Sequence, residues 1–160
     1  MSKKITCGTI VCSKYGFLAL LPTGRVDGQH NYDIPKGCME ETDATTYITA
    51  IRELKEETGL DIKELFGKCN TSVNYFDVVP YNKEKDLALF TLEIDDIDQV
   101  FNFACNSYFI DKDGVSKPEM KGYKWTRDLN VYFKGLYHAI TKLREDNELF
   151  DEIISKYEHD

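Results

Sequence analysis

The sequence predicts an α/β fold in which helices pack on a mixed β-sheet. β-branched and aromatic runs separated by turn signals open the chain, which is typical of strands. A helical pattern of apolar residues follows over residues 43–58, and strand-like runs and C-terminal helical patterns come after it. The 160 residues are 42% hydrophobic, so we predict a single domain over residues 1–160.

The N-terminal third predicts a hairpin and a loop. Strands are predicted at Ile5–Cys12 and Phe17–Leu21, joined by the turn "SKYG". Residues 22–33 are rich in Gly, Asp and Asn and predict a loop. The following "YDIPKG" predicts a short extended piece that ends in a Pro-Lys-Gly turn.

Residues 43–58 predict the clearest helix. They contain no Pro or Gly, and Asp43 is suited to cap the start while Gly59 ends the helix. Four apolar residues recur at helical spacing, namely Tyr47, Ile48, Ile51 and Leu54. One face of this helix is therefore expected to pack on the sheet.

The second half of the chain predicts more strands and then helices. Residues 70–81 and 86–94 predict strands on either side of the charged turn "NKEKD", and "GYKW" predicts a short strand later. Apolar spacing over residues 129–157 predicts two amphipathic helices that are broken near "REDNE".

Composition excludes several classes of protein. A net charge of -8 argues against a general electrostatic grip on long nucleic acid, although capped RNA stays open as a partner. No run approaches the roughly 18 apolar residues that span a bilayer, and the first ten residues lack the apolar core of a secretory signal. We therefore expect a cytoplasmic protein that does not bind membranes. The five cysteines form no CxxC pair, so reduced, mostly buried thiols are expected.

Three carboxylates lie close together in "AIRELKEETGL" if this segment is helical, and they could either bind a metal ion or face solvent. Glu53, Glu56 and Glu57 are three and four residues apart and share one helical face, where like charges repel by a few tenths of a kcal/mol per pair. Hard cations such as Mg²⁺ or Mn²⁺ prefer oxygen ligands of this kind. The alternative is a solvated helix whose acids are offset by Arg52 and Lys55.

The stretches "PKG" and "RELKEETGL" favour the metal site, because they resemble the Nudix hydrolase box. That box reads G-x5-E-x7-R-E-U-x-E-E-x-G-U, where U is an aliphatic residue. The second half matches at every fixed position, and a late "E-x3-Y-x-W" element is compatible with the family. The resemblance implies a Nudix-type α/β/α sandwich with a C-terminal helical extension. The box departs upstream: its first glutamate falls on Asp43, one residue too far from Arg52, so Asp43, Glu40 and Glu41 remain alternatives.

The resemblance implies hydrolysis of a pyrophosphate bond in a nucleoside diphosphate linked to another group, with Mg²⁺ or Mn²⁺ as cofactor. Carried over by position, Glu56 and Glu57 are the main metal ligands, together with a Gly37 carbonyl. Glu53 is a ligand or the general base, and Arg52 orients the glutamates. Glu119, in a later loop, is the other candidate base.

The substrate is expected to be a small nucleotide. The chain looks closest to the branch acting on diadenosine and inositol polyphosphates. The alternatives are an RNA cap, NAD or ADP-ribose pyrophosphohydrolase and a catalytically weak nucleotide sensor, and a homodimer is possible. Candidate phosphate-binding cations are Lys36, Arg25, Lys83 and Lys85, and candidate rings for stacking on a base are Tyr32, Tyr75, Tyr81 and Trp125.

Overall fold

Helices cover both faces of a mixed six-stranded sheet in the computed structural model, which describes residues 3–95 and 102–159. The strands in this part of the chain are β1 (Lys4–Ser13), β2 (Gly16–Pro22), β3 (Lys36–Cys38), β4 (Asn70–Pro80), β5 (Lys85–Asp95), β6 (Tyr108–Ile110), β7 (Ser116–Pro118) and β8 (Met120–Thr126). The helices are α1 (Thr46–Thr58), α2 (Ile62–Lys68), α3 (Lys134–Asp146) and α4 (Glu148–Glu158).

The sheet is built around β1. Its strand order is β4-β5-β1-β2-β8, and β3 also pairs with β1. β1 runs parallel to β5, and the other pairs are antiparallel. Cys12 of β1 pairs with Phe17 of β2, which confirms the predicted hairpin. β6 and β7 form a separate two-stranded sheet.

The two faces of the sheet bury different layers. Leu87 and Leu89 of β5 join the larger apolar cluster with α3 and α4. Ala88 and Leu92 point to the opposite face, where they join two smaller clusters with residues of α1 and α2. Alternation of side chains along a strand thus supplies both layers of the predicted sandwich, and that fold class is confirmed.

Two predictions near α1 were wrong. The Pro-Lys-Gly segment is not a turn, because Lys36 to Cys38 pair with β1 as a strand. Asp43 does not cap α1 either. The hydroxyl of Thr45 accepts the backbone N–H of Ile48 and caps a helix that begins at Thr46. Helix α2 and the β6–β7 hairpin were not predicted.

The C-terminal prediction is confirmed with a modification. Residues 129–131 form one turn of 3-10 helix before α3 begins. The break within "REDNE" falls at Asn147, whose side chain accepts the N–H of Phe150 and caps α4. None of the helices in the described ranges is long and apolar enough to cross a membrane. All five thiols are free, but only Cys7 and Cys12 are fully buried.

Candidate active site

The inner face of α1 buries carboxylates against the sheet. Glu53 and Glu57 are only 9% and 2% exposed, whereas the side chain of Glu56 is 39% exposed. Their spacing of three and four residues places all three on neighbouring positions of the helix. Two acids are therefore removed from water beside a third.

Strand β3 supports both buried carboxylates through its backbone. The N–H of Lys36 donates to Oε1 of Glu57 at 3.0 Å. A Cβ atom at Gly37 would overlap the carboxylate of Glu53, so only glycine allows the helix to approach this closely. The Pro-Lys-Gly segment thus acts as a strand that receives the acidic face of α1.

Arg52 links Glu53 to the loop before the helix. Its Nη1 donates to Oε1 of Glu53 at 2.9 Å, and its Nη2 donates to Oδ2 of Asp43 at 2.8 Å. The same Asp43 oxygen also accepts the hydroxyl of Thr49 and the N–H of Glu40, both at 2.9 Å. The Arg52 hydrogen bond is the main cause that lowers the pKa of Asp43 to about 2.

The contacts of Arg52 bear on the displaced first acid of the box. Asp43 lies within hydrogen-bonding distance of Arg52, whereas Glu40 lies at 3.8 Å with a side chain 63% exposed. Glu41 is also exposed. Of the three alternatives, Asp43 therefore meets the arginine despite its shorter side chain and the extra residue.

Burial makes the acidic face electrostatically unusual. It raises the pKa of Glu53 to about 7, aided by the charge of Glu56, and raises the pKa of Glu57 to about 9. The charge of Glu119 contributes to the shift of Glu53, which places this loop residue on the same side of the molecule. Burial therefore shifts both acids toward their protonated forms.

The C-terminal end of α1 is held by residues that the sequence did not indicate. The N–H groups of Asn106 and Ala104 donate to the carbonyls of Glu56 and Thr58, at 2.6 and 3.1 Å. The hydroxyl of Tyr123 donates to the carbonyl of Glu57. These bonds satisfy carbonyls that the end of a helix leaves unpaired. Only the "Y" of the late motif was a signal for them.

The candidate phosphate-binding cations are only partly assembled. Lys36 Nζ lies 2.8 Å from Asp33 and 5.9 Å from the centre of the Tyr81 ring. Burial acts to lower the pKa of Lys36, but the charge of Asp33 overrides it and holds that pKa above its usual value. Arg25 lies 4.9 Å from the ring centre of Phe133, just before α3, and Gly135 of α3 lies beside Tyr81. Both cation–aromatic pairs thus meet the first turn of α3.

The remaining candidates lie elsewhere. Tyr32 is 4% exposed and donates to Asp27, so its ring belongs to the core. The ring of Trp125 contacts Phe103 and Tyr15. Three others complete the set by position: Tyr75 beside Phe90, Lys83 in the β4–β5 turn and Lys85 at the start of β5.

A family comparison decides the classification. The NUDIX domain matches residues 5–127, most of the chain. The chain belongs to the Nudix family. The Nudix pyrophosphohydrolase predicted from the box is confirmed at the level of the family.

Individual proteins resemble the chain in sequence or in fold. A 17.7 kDa protein from the e-segB intergenic region of Enterobacteria phage T4 is 38% identical over 109 residues, which are 62% of this chain and 68% of that protein. An ADP-ribose pyrophosphatase from Streptococcus suis superposes with a TM-score of 0.58 at 14% identity, covering 91% of this chain and 92% of that one. An Ap4A hydrolase from C. elegans superposes with a TM-score of 0.56 at 15% identity, covering 93% and 98%.

Nudix hydrolases generally use divalent metal ions, and the chemistry of this acidic face fits one. Three carboxylates supply the hard oxygen donors that such ions prefer, and their burial with like charge disfavours ionisation unless a cation is near. Within residues 3–95 and 102–159, no group of three or more His, Cys, Asp or Glu side chains is arranged as a metal cluster. Glu53 faces Arg52 and Glu57 faces the Lys36 N–H instead.

Proposed function

We propose that this Nudix protein hydrolyses a pyrophosphate bond in a dinucleoside polyphosphate, with diadenosine polyphosphates as the first candidates and Mg²⁺ or Mn²⁺ as cofactor. The observation that carries the proposal is the pair of buried carboxylates, Glu53 and Glu57, held between β3 and α1. Burying two like charges is costly unless they are neutralised by protons or cations. A divalent cation would supply that neutralisation.

Each acid has a proposed role. Glu56 and Glu57 would hold the metal with the Gly37 carbonyl, and a bound metal supplies Lewis acidity and lowers the pKa of a water. Glu53 would be the general base or a further ligand. Its pKa of about 7 fits a base that works near neutral pH, and Arg52 fixes the direction of its carboxylate.

Glu119 is the competing base. It follows β7, and its charge already influences the pKa of Glu53. The two assignments differ in the pH dependence of kcat. If Glu53 is the base, Glu119→Gln will keep the acid limb of the profile and Glu53→Gln will remove it, and the reverse result would assign the base to Glu119.

Residues near the first turn of α3 would bind the substrate. Lys36 and Arg25 each stand beside an aromatic ring, Tyr81 and Phe133 respectively, which suits a phosphate next to a base. Lys83 lies in the turn that follows β4 and would meet the far end of a polyphosphate. Tyr32, Tyr75, Lys85 and Trp125 remain predictions as substrate contacts.

ADP-ribose is the second candidate substrate, and the pairing of Lys36 with Asp33 favours it. The ion pair at 2.8 Å removes much of the positive charge that a tetraphosphate would need, whereas a diphosphate carries less charge to offset. The S. suis protein is an ADP-ribose pyrophosphatase and the C. elegans protein is an Ap4A hydrolase, and this chain superposes on both with similar TM-scores. The fold therefore does not distinguish between the two candidate substrates.

A substrate panel tests the proposal. The protein is incubated with Mg²⁺ and diadenosine polyphosphates, ADP-ribose, NADH, a capped dinucleotide or nucleoside triphosphates, and the products are identified by mass. We expect fastest turnover of a diadenosine polyphosphate and its loss in Glu56→Gln, but not in Glu64→Gln, an exposed acid of α2. Faster turnover of ADP-ribose would select the second candidate. Tight binding without any product would support the sensor and reject the enzyme.

A further inference from the structure

Strand β4 leaves one side of the sheet open. It is the terminal strand of the order β4-β5-β1-β2-β8, so among the described strands its outer side has no partner. Residues 70–76 of this strand carry no charge and no proline. Exposed sheet edges normally carry lysine or other devices that block pairing with another chain. The first seven residues of β4 lack them.

The ladder with β5 shows which backbone groups of β4 point outward. The N–H of Tyr81 donates to the carbonyl of Lys85, which marks odd-numbered residues of β5 as those bonded to β4. Through the β4–β5 register, the inward residues of β4 are Asn70, Ser72 and Asn74. Thr71, Val73 and Tyr75 therefore present N–H and C=O groups outward. Pro80, which has no N–H, also falls on the outward set.

Thr71 and Tyr75 lie two residues on either side of Val73, so an antiparallel pairing centred on Val73 aligns the outward groups of one copy with those of another. We propose that β4 pairs antiparallel with β4 of a second copy of this chain, across a two-fold axis at Val73. The pairing brings Val73 opposite Val73 and Thr71 opposite Tyr75, and it forms about six backbone hydrogen bonds. The register shift between Tyr75 and Asp77 ends the paired segment.

Aromatic side chains beside the same edge extend the surface. Tyr47, Phe66 and Tyr75 are 38%, 54% and 49% exposed, and they surround an open cavity of about 640 Å³ next to Val73. Exposed aromatic residues of this size are enriched at protein interfaces. The two-fold axis would bring the two copies of this aromatic surface to the same face of the joined sheet.

Charge favours a second copy of this chain as the partner of the outer edge of β4. On the other face of the pairing, Ser72 meets Asn74 of the second copy, so no like charges come together. The chain carries a net charge of -8, and two copies approach with least repulsion through an uncharged segment.

Paired variants test the orientation and register. Ser72→Lys with Asn74→Lys places two like-charge pairs across the proposed axis, whereas Ser72→Lys with Asn74→Asp places two opposite-charge pairs there. Sedimentation velocity over a concentration series measures the dimer Kd. We expect a dimer in the unmodified protein, a Kd raised about tenfold or more in the first variant, and recovery in the second.

Hydrogen exchange on the unmodified protein gives an independent result, even if a variant fails to fold. We expect the amides of Thr71, Val73 and Tyr75 to exchange more slowly as protein concentration rises. A monomer at all concentrations would overturn the proposal. So would a dimer that both double variants leave unchanged, or one whose formation does not protect these three amides.

Discussion

Helices α1 and α3 lie on opposite faces of the same sheet and bury different chemistry. The buried residues of α3 are all apolar, namely Leu136, Ala139, Ile140 and Leu143. Those of α1 include the acids Glu53 and Glu57 as well as Leu54. Apolar burial stabilises the fold by about 1.5–3 kcal/mol per large side chain, whereas burial of a carboxylate costs stability. The two faces therefore divide stability from chemistry.

Charged groups on the two layers show the same contrast. Arg144 of α3 lies 2.7 Å from Asp151 and 2.6 Å from Glu158, in opposite-charge pairs at the surface. On α1 the buried charges have the same sign, and Arg52 is shared between Glu53 and Asp43. The α3–α4 layer pairs opposite charges, whereas the α1 layer buries two acids of the same sign.

The largest effect tests whether α1 carries the chemistry. Because Glu53 is proposed as base or ligand, Glu53→Gln should lower kcat by about 10²–10⁴ while the protein stays folded. Steady-state kinetics with Mg²⁺ on the best substrate of the panel, together with circular dichroism, measure both. Glu64→Gln on the exposed side of α2 is the control and should keep full activity.

The next test removes stability from the other layer. Phe150 of α4 is fully buried, and its ring centre lies 4.9 Å from that of Phe76. Phe150→Ala should lower the free energy of unfolding by about 3–5 kcal/mol, because it leaves a cavity. Urea unfolding measures it, and kcat per folded molecule should be unchanged. A fall in kcat similar to that of Glu53→Gln would contradict the view that the α3–α4 layer contributes stability and the α1 layer contributes catalysis.

A smaller change tests the contact between β3 and α1. Gly37→Ala should displace the Glu53 carboxylate, lowering the free energy of unfolding by about 1–3 kcal/mol and reducing kcat. Gly67→Ala is the matched control, since nothing lies within 4 Å of a Cβ there. Alanine in that helix should be neutral or add up to about 1 kcal/mol. Equal effects of both substitutions on kcat would contradict the proposed fit of Glu53 against Gly37.

A last prediction concerns the dependence of stability on pH. Glu53 and Glu57 have pKa values of about 7 and 9 in the folded protein, above the ordinary value of 4.5. Between the ordinary pKa of 4.5 and the raised pKa values, the folded state therefore binds more protons than the unfolded state. Without metal, the free energy of unfolding should fall as pH rises from about 5 to 9, by at most about 1.4 kcal/mol per pH unit for each proton.

Thermal unfolding at several pH values, with EDTA or with Mg²⁺, measures that slope. Mg²⁺ should reduce it, because a cation bound to the folded state favours the ionised acids. Glu57→Gln should reduce it as well, by removing the group with the higher pKa. A rise of stability with pH in EDTA would show that the two acids are ionised in the folded protein.

Much of the fold could be predicted from local patterns. β1, β2, β4, β5 and α1 follow from alternation or helical spacing of apolar residues, and the break at Asn147 follows from a polar run. Residues 36–38 were predicted as a turn because Pro35 and Gly37 are typical turn residues. They form a strand because β1, which is distant in the sequence, pairs with them. Helix α2 was missed because its seven residues give too short a pattern.

The sequence by itself determined the acidic face of α1 and the family, because residue identity and spacing along one helix are local properties. Only the tertiary structure decided that Gly37 makes room for Glu53, that Asp43 meets Arg52, and that Asn106 and Tyr123 hold the end of the helix. Those contacts join residues far apart in the chain or separated by a loop. Spacing in the sequence does not determine which groups meet across a fold, because the path of the chain between them sets the distance.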